Sequence, residues 1–259
     1  MGERLKVTTF GQGPDLVLLH GWAMHSGIWG ATATALATDF RVNLVDLPGH
    51  GINRNLPLSS DLNVVAEQIL SAVPPAIWVG WSLGGLVALA AALMQPDKVN
   101  KMALVAATPA FSKQPDWDCG VDDVNQQDFC DGIESDYEET ITQFCTRTFG
   151  SNWLNEALSR LGGLPINENM PSRQALRAGL HLLYSNNLLP GLSRCKIPTL
   201  FLGGSRDRTI NPVSFERAAK LMPTARSLVI RGAGHTPFIS HEEKFLNSIC
   251  EFLHGEHVA

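Results

Sequence analysis

A set of short, mostly continuous apolar runs constrains this chain more than any other feature. They are Leu16–Leu19, Val42–Val45, Ile77–Val79, Met102–Ala106, Thr199–Leu202 and Ser227–Ile230. A strand with one wet face alternates apolar and polar residues, whereas a strand covered on both faces does not. Between several runs the apolar spacing turns helical. Leu86, Leu89, Ala90 and Leu93 share one face of a helix that Pro96 stops, and Phe245, Ile249, Phe252 and Leu253 repeat the period near the C-terminus. Strands alternating with helices predict an α/β fold with a mostly parallel sheet and helices on both faces. At 259 residues the chain is long enough for one such domain.

The rhythm breaks between about Ala110 and Leu189, where helical patterns continue without a convincing strand. The expected organisation is a core of residues 1–109 and 190–259, with residues 110–189 inserted as a helical lid over one end of the sheet. The charge of the insertion is uneven. Ten acidic residues fall between Asp116 and Glu139 with no Lys or Arg among them, and Arg147, Arg160, Arg173 and Arg177 follow.

The formal charge of -5, from 25 acidic and 20 basic residues, argues against a nucleic-acid partner, which selects for a basic face. The longest apolar stretch, Leu86–Met94, is too short for a bilayer, and no signal-like run follows Met1. A cytoplasmic monomer with no membrane association is therefore expected. The five cysteines are scattered and contain no C-x-x-C pair, which reads as free thiols.

Gly80-Trp81-Ser82-Leu83-Gly84 fits G-x-S-x-G and sits between an apolar strand and a helical pattern. A tight strand-to-helix turn needs small flanking residues and holds its serine exposed and strained. A helix N-terminus then aims N–H groups at the same point. A serine needs a base. His235, in Gly232-Ala233-Gly234-His235-Thr236-Pro237, follows the last apolar run. Asp207 follows Thr199–Leu202 and precedes His235 by 28 residues, room for one helix and one strand. The chain order Ser82, Asp207, His235 suits a nucleophile, an orienting acid and a base.

Acyl transfer also needs oxyanion donors. The backbone amides of Trp22, after the run Leu16–Leu19, and of Leu83 are the candidates. The side chains of Trp22 and Trp81 are expected beside the serine as apolar pocket walls. No metal-ligand spacing, dinucleotide fingerprint or P-loop occurs, so neither metal nor cofactor is expected.

Leu18-Leu19-His20-Gly21-Trp22, Asp46-Leu47-Pro48-Gly49-His50-Gly51, Gly80 to Gly85, Gly203 to Asp207 and Gly234-His235-Thr236-Pro237-Phe238 resemble the α/β-hydrolase superfamily. The paired tryptophans, Trp78 to Ala88 and His235 to His241, more narrowly resemble the BioH family, the pimeloyl-acyl-carrier-protein methyl ester esterases of biotin synthesis. The likeness covers about residues 10–109 and 190–255. It implies hydrolysis of a methyl ester on a carrier-bound acyl chain, with Trp22, Trp81, Ser82, Asp207 and His235 taking part. It also implies a lid phenylalanine, placed at Phe144. Lid arginines grip the acidic carrier protein in that family. Glu139 and Gln143 stand at the comparable early positions here, which leaves Arg147, Arg160, Arg173 and Arg177 as candidates. Two other readings stay open: a broader short-chain carboxylesterase or C–C bond hydrolase with the same triad, and a non-catalytic ligand-binding hydrolase fold.

Overall fold

The computed structural model describes residues 4–122, 124–149 and 171–255. In chain order the strands are β1 (Val7–Phe10), β2 (Asp15–Leu19), β3 (Arg41–Val45), β4 (Ala76–Trp81), β5 (Val99–Val105), β6 (Thr199–Gly204) and β7 (Ala225–Ile230). They form one sheet in the order β1-β3-β2-β4-β5-β6-β7, parallel throughout except for β1, which pairs antiparallel with β3. The helices are α1 (Gly30–Leu36), α2 (Leu62–Ala72), α3 (Leu83–Met94), α4 (Val124–Ser135), α5 (Tyr137–Phe149), α6 (Arg173–Ser185), α7 (Leu189–Leu192), α8 (Val213–Lys220), α9 (Pro237–Ser240) and α10 (Glu242–His254).

The six apolar runs become β2 to β7. The centre of the sheet obeys the two-sided burial they predict: every residue from Leu16 to Leu19, and from Thr199 to Gly204, is buried. β7 departs from it. It lies at the edge, and Leu228 and Val229 keep 38% and 40% of their surface exposed. β1 was not anticipated. Its residues are half-buried or exposed, so it carries no apolar run, and it closes the opposite edge through main-chain pairing. α3 is buried on nearly all sides and packs on α2, β4 and β5.

A parallel sheet has one edge where every strand ends. Ser82 follows β4, Asp207 follows β6 and His235 follows β7, so all three lie at that edge, where open α/β sheets bind ligands. Between β5 and β6 the chain leaves the sheet and builds α4, α5 and α6, with α4 packed on both other helices and α6 touching α3. Short bridges, Ser112 with Val121 and Gln114 with Trp117, precede α4. Another bridge joins Ala110 to Asn187 at the two ends of this excursion. No helix of the described residues is long and apolar enough to cross a membrane.

Candidate active site

The Ser82 turn is held by its neighbours. Ser82 adopts φ 54° and ψ -117°, a left-handed conformation that side chains other than glycine avoid. Its N–H donates to the Val105 carbonyl at 2.9 Å, and its carbonyl accepts from Gly85 N–H at 2.9 Å, so strand and helix both pin it. A Cβ at position 80 would stand 2.3 Å from the Gly84 carbonyl oxygen, and one at position 84 would stand 2.5 Å from that of His20. Only glycine lets the backbone close that tightly. Ala23 (φ 61°) and Ala106 (φ 45°), after β2 and β5, are the other left-handed non-glycine residues among those described. All three lie at the C-terminal edge of the sheet.

Asp207 and His235 meet across the ends of β6 and β7. His235 Nδ1 donates to Asp207 Oδ2 at 2.8 Å, and both side chains are inaccessible to solvent. The other oxygen, Oδ1, accepts the Thr209 and Ile210 amides at 2.8 and 2.9 Å. These two donors fix the carboxylate, and the carboxylate fixes the imidazole with Nδ1 protonated. Neither Arg206 nor Arg208 takes the carboxylate. His235 Nε2, on the far side of the ring, is buried with no hydrogen-bond partner. Buried polar atoms seldom stay unpaired unless a function needs them free.

The loop after β2 closes against Ser82: a Cβ at position 21 would stand 3.1 Å from Ser82 Cβ. His20 braces this loop. Its Nδ1 donates to the Gly21 carbonyl at 2.8 Å, and Leu47 N–H donates to its Nε2 at 2.9 Å. Burial lowers the His20 pKa to about 3 and that of the neighbouring His50 to about 4, so both rings are neutral. Leu83 opens α3, and its amide is among the first-turn N–H groups that no helical carbonyl can reach.

A cleft adjoins Ser82. Its walls are chiefly Trp22, Phe111, Phe129, Phe144, Leu180 and Tyr184. Phe144 and Phe129 set their rings edge-on to Trp22, with centroids 4.7 and 5.9 Å away. The Trp22 indole N–H donates to the Leu176 carbonyl on α6 at 2.8 Å, tying the loop to the insertion.

One expected pocket residue lies elsewhere. Trp81 does not line the cleft; it is fully buried behind the site and donates its indole N–H to the His235 carbonyl at 2.9 Å. Successive residues of a strand point to opposite sides, so adjacency to Ser82 does not turn its ring toward the cleft. Arg173 and Arg177 share a face of α6, as their spacing predicts, and both are exposed while bonded to α4. The Arg173 guanidinium donates to the Ile133 and Glu134 carbonyls and stacks over Tyr137, while Arg177 pairs with Glu134 at 2.8 Å. Arg147 stands at the cleft, and Arg160 lies outside the described residues. Arg208 and Thr209, which also line the cleft, were missed. Their only sequence signal was their place directly after Asp207.

The chain belongs to the alpha/beta hydrolase family, which matches residues 16–247. More narrowly, its sequence relatives are esterases. It is 38% identical over 250 residues to a pimeloyl-[acyl-carrier protein] methyl ester esterase of Stenotrophomonas maltophilia, covering 96% of each chain. It is 36% identical to the protein of the same name from Nitrosospira multiformis, over 97% of this chain and 99% of the other. Among solved structures, a hydrolase from Oleispira antarctica superposes with a TM-score of 0.85 at 16% identity, covering 98% of this chain and 96% of that one. An esterase from Exiguobacterium antarcticum does so with a TM-score of 0.85 at 20% identity, covering 97% and 96%. At these identities the structures speak for the fold alone.

Proposed function

We propose that this protein is a serine carboxylesterase that hydrolyses the methyl ester of a pimeloyl chain carried on acyl-carrier protein, releasing methanol in biotin synthesis. The observation that carries the reading is the His235–Asp207 pair, buried and oriented, with Nε2 unpaired at the edge where Ser82 is strained. The names of the relatives, at 36–38% identity over nearly the whole chain, support the substrate.

In this mechanism His235 Nε2 takes the Ser82 proton as Oγ attacks the ester carbonyl. The Trp22 and Leu83 amides receive the oxyanion. Asp207 holds the imidazole in the required tautomer and steadies its charge. Methoxide leaves with the proton from His235, and water then cleaves the acyl-enzyme. Trp22 and Phe144 contact the acyl chain in the apolar cleft, and Arg147 at the mouth meets the acidic carrier. Arg173 and Arg177, exposed on α6 though bonded to α4, offer the carrier a second basic face.

The test compares the purified protein on pimeloyl-acyl-carrier-protein methyl ester and on p-nitrophenyl esters of increasing length. The reading expects the carrier-bound ester to give the highest kcat/KM. A preference for short p-nitrophenyl esters would reduce the protein to a general carboxylesterase.

A further inference from the structure

The polar groups of the cleft other than Ser82 include Arg147, Arg208 and Thr209. Arg147, on α5, and Arg208, in the loop after β6, each line both the cleft and an open groove formed with the exposed face of α5. They therefore stand at the junction of the two. The Arg147 guanidinium lies over the ring of Phe129, itself a cleft wall, with 5.8 Å to the centroid. Among the described residues neither arginine is matched to a carboxylate. The acid of the groove, Glu139, is two helical turns from Arg147 and accepts from Gln143 at 2.8 Å. Thr209 lies beside Arg208, and its Oγ1 is buried with no hydrogen-bond partner although the residue lines the cleft. Two unmatched cations from different elements and an unsatisfied hydroxyl, in a cleft walled mainly by apolar side chains, make a receptor for an anionic acceptor group. Planar guanidinium groups suit a carboxylate in particular.

We propose that Arg147, Arg208 and Thr209 bind the free carboxylate of a straight-chain dicarboxylic acid whose other end is esterified at Ser82. The protein then hydrolyses free monomethyl esters of dicarboxylic acids with no carrier attached. This activity rests on Ser82 as nucleophile. Ser82 Oγ bonds to the ester carbonyl carbon and the carbon–methoxy bond breaks. The serine proton passes through His235 to the methoxy oxygen, and methanol leaves. Water then cleaves the seryl ester, regenerating the hydroxyl and releasing the dicarboxylate and one proton. The apolar walls select the methylene chain, and the arginine end selects charge and length.

The experiment measures initial first-ester hydrolysis of monomethyl and dimethyl esters of dicarboxylic acids of graded length, with p-nitrophenyl acetate as a probe of the wild-type triad. The wild type should prefer the half-ester to the diester by on the order of tenfold or more in kcat/KM at its best length, mostly through KM. Added salt should weaken that preference. R147Q/R208Q should bring the ratio of half-ester to diester near one, and T209V should lower it partway. Equal rates on the two esters, or a preference that survives in R147Q/R208Q, would overturn the carboxylate site. So would a wild type that cleaves p-nitrophenyl acetate and no half-ester, an outcome that leaves the triad standing. Failure on p-nitrophenyl acetate as well would overturn both.

Discussion

The indole N–H of Trp81 donates to the backbone carbonyl of His235 at 2.9 Å, joining two residues 154 positions apart. The Trp81 ring also lies 5.5 Å from the imidazole, centroid to centroid. The residue before the serine thus positions the base and has no contact with the cleft. Trp81→Phe keeps an aromatic ring but removes the donor, at a cost of about 1–3 kcal/mol if that buried carbonyl finds no other. We expect kcat to fall by roughly tenfold while KM for short esters changes little. Steady-state kinetics and a thermal melt check this; a rise in KM with kcat unchanged would return Trp81 to a pocket role.

Asp207 offers a sharper test. Oδ1 accepts two amides and Oδ2 accepts His235, so every contact demands an acceptor. In Asp207→Asn the amide oxygen stays with the Thr209 and Ile210 donors, and the NH₂ group then faces His235. The imidazole must switch tautomer, which puts a proton on Nε2 and leaves no base for Ser82. Loss of kcat by about 10³- to 10⁴-fold, with an unchanged melting profile, is expected. Activity near wild type would mean that another group orients His235.

Gly179 couples the insertion to the loop before it. A Cβ there would stand 2.7 Å from Trp22 Cδ1, and the Trp22 indole is held by Leu176 one turn earlier on α6. Alanine is the better helix former by about 1 kcal/mol. Gly179→Ala should nevertheless displace the Trp22 ring and disturb the neighbouring amide. We expect a severalfold loss of kcat/KM on all esters, measured beside an intact helical circular-dichroism signal. Unchanged activity would show that α6 moves aside without disturbing Trp22.

These relationships mark how far the sequence could be read. Ser82, Asp207 and His235 were legible because each follows an apolar strand through a glycine-marked turn, and a parallel sheet brings such turns to one edge. The β1 strand was not, since Val7–Phe10 is held by main-chain pairing rather than a buried face. The direction of the Trp81 ring and the bonds that tie Arg173 and Arg177 to α4 depend on partners distant in sequence. Arg208 and Thr209 became part of the cleft only once α5 was placed against the loop after β6.

The buried histidines make stability depend on pH. Burial depresses the pKa of His20 to about 3 and of His50 to about 4, with the charge of Asp46 opposing but not overcoming it. Unfolded, each ring titrates near ~6.5. Above that value neither state holds the proton and stability is complete. Below it the unfolded chain takes up protons that the folded chain refuses. Stability should fall with pH by about 1.4 kcal/mol per unit for each ring, down to about pH 4 for His50 and about pH 3 for His20. Urea unfolding at pH 7 and pH 5 reads this slope, and a His50→Gln variant that folds should show a shallower one. A slope near zero would mean that the rings are protonated in the folded protein.

Everything in the proposed mechanism turns on Ser82 carrying the acyl group. A fluorophosphonate probe followed by peptide mass mapping tests it most directly, with Ser82→Ala assayed in parallel. One adduct is expected, on the peptide holding Ser82, with loss of ester hydrolysis by on the order of 10³-fold or more in a folded Ser82→Ala protein. An adduct on a different serine, or near wild-type turnover by folded Ser82→Ala, would contradict it.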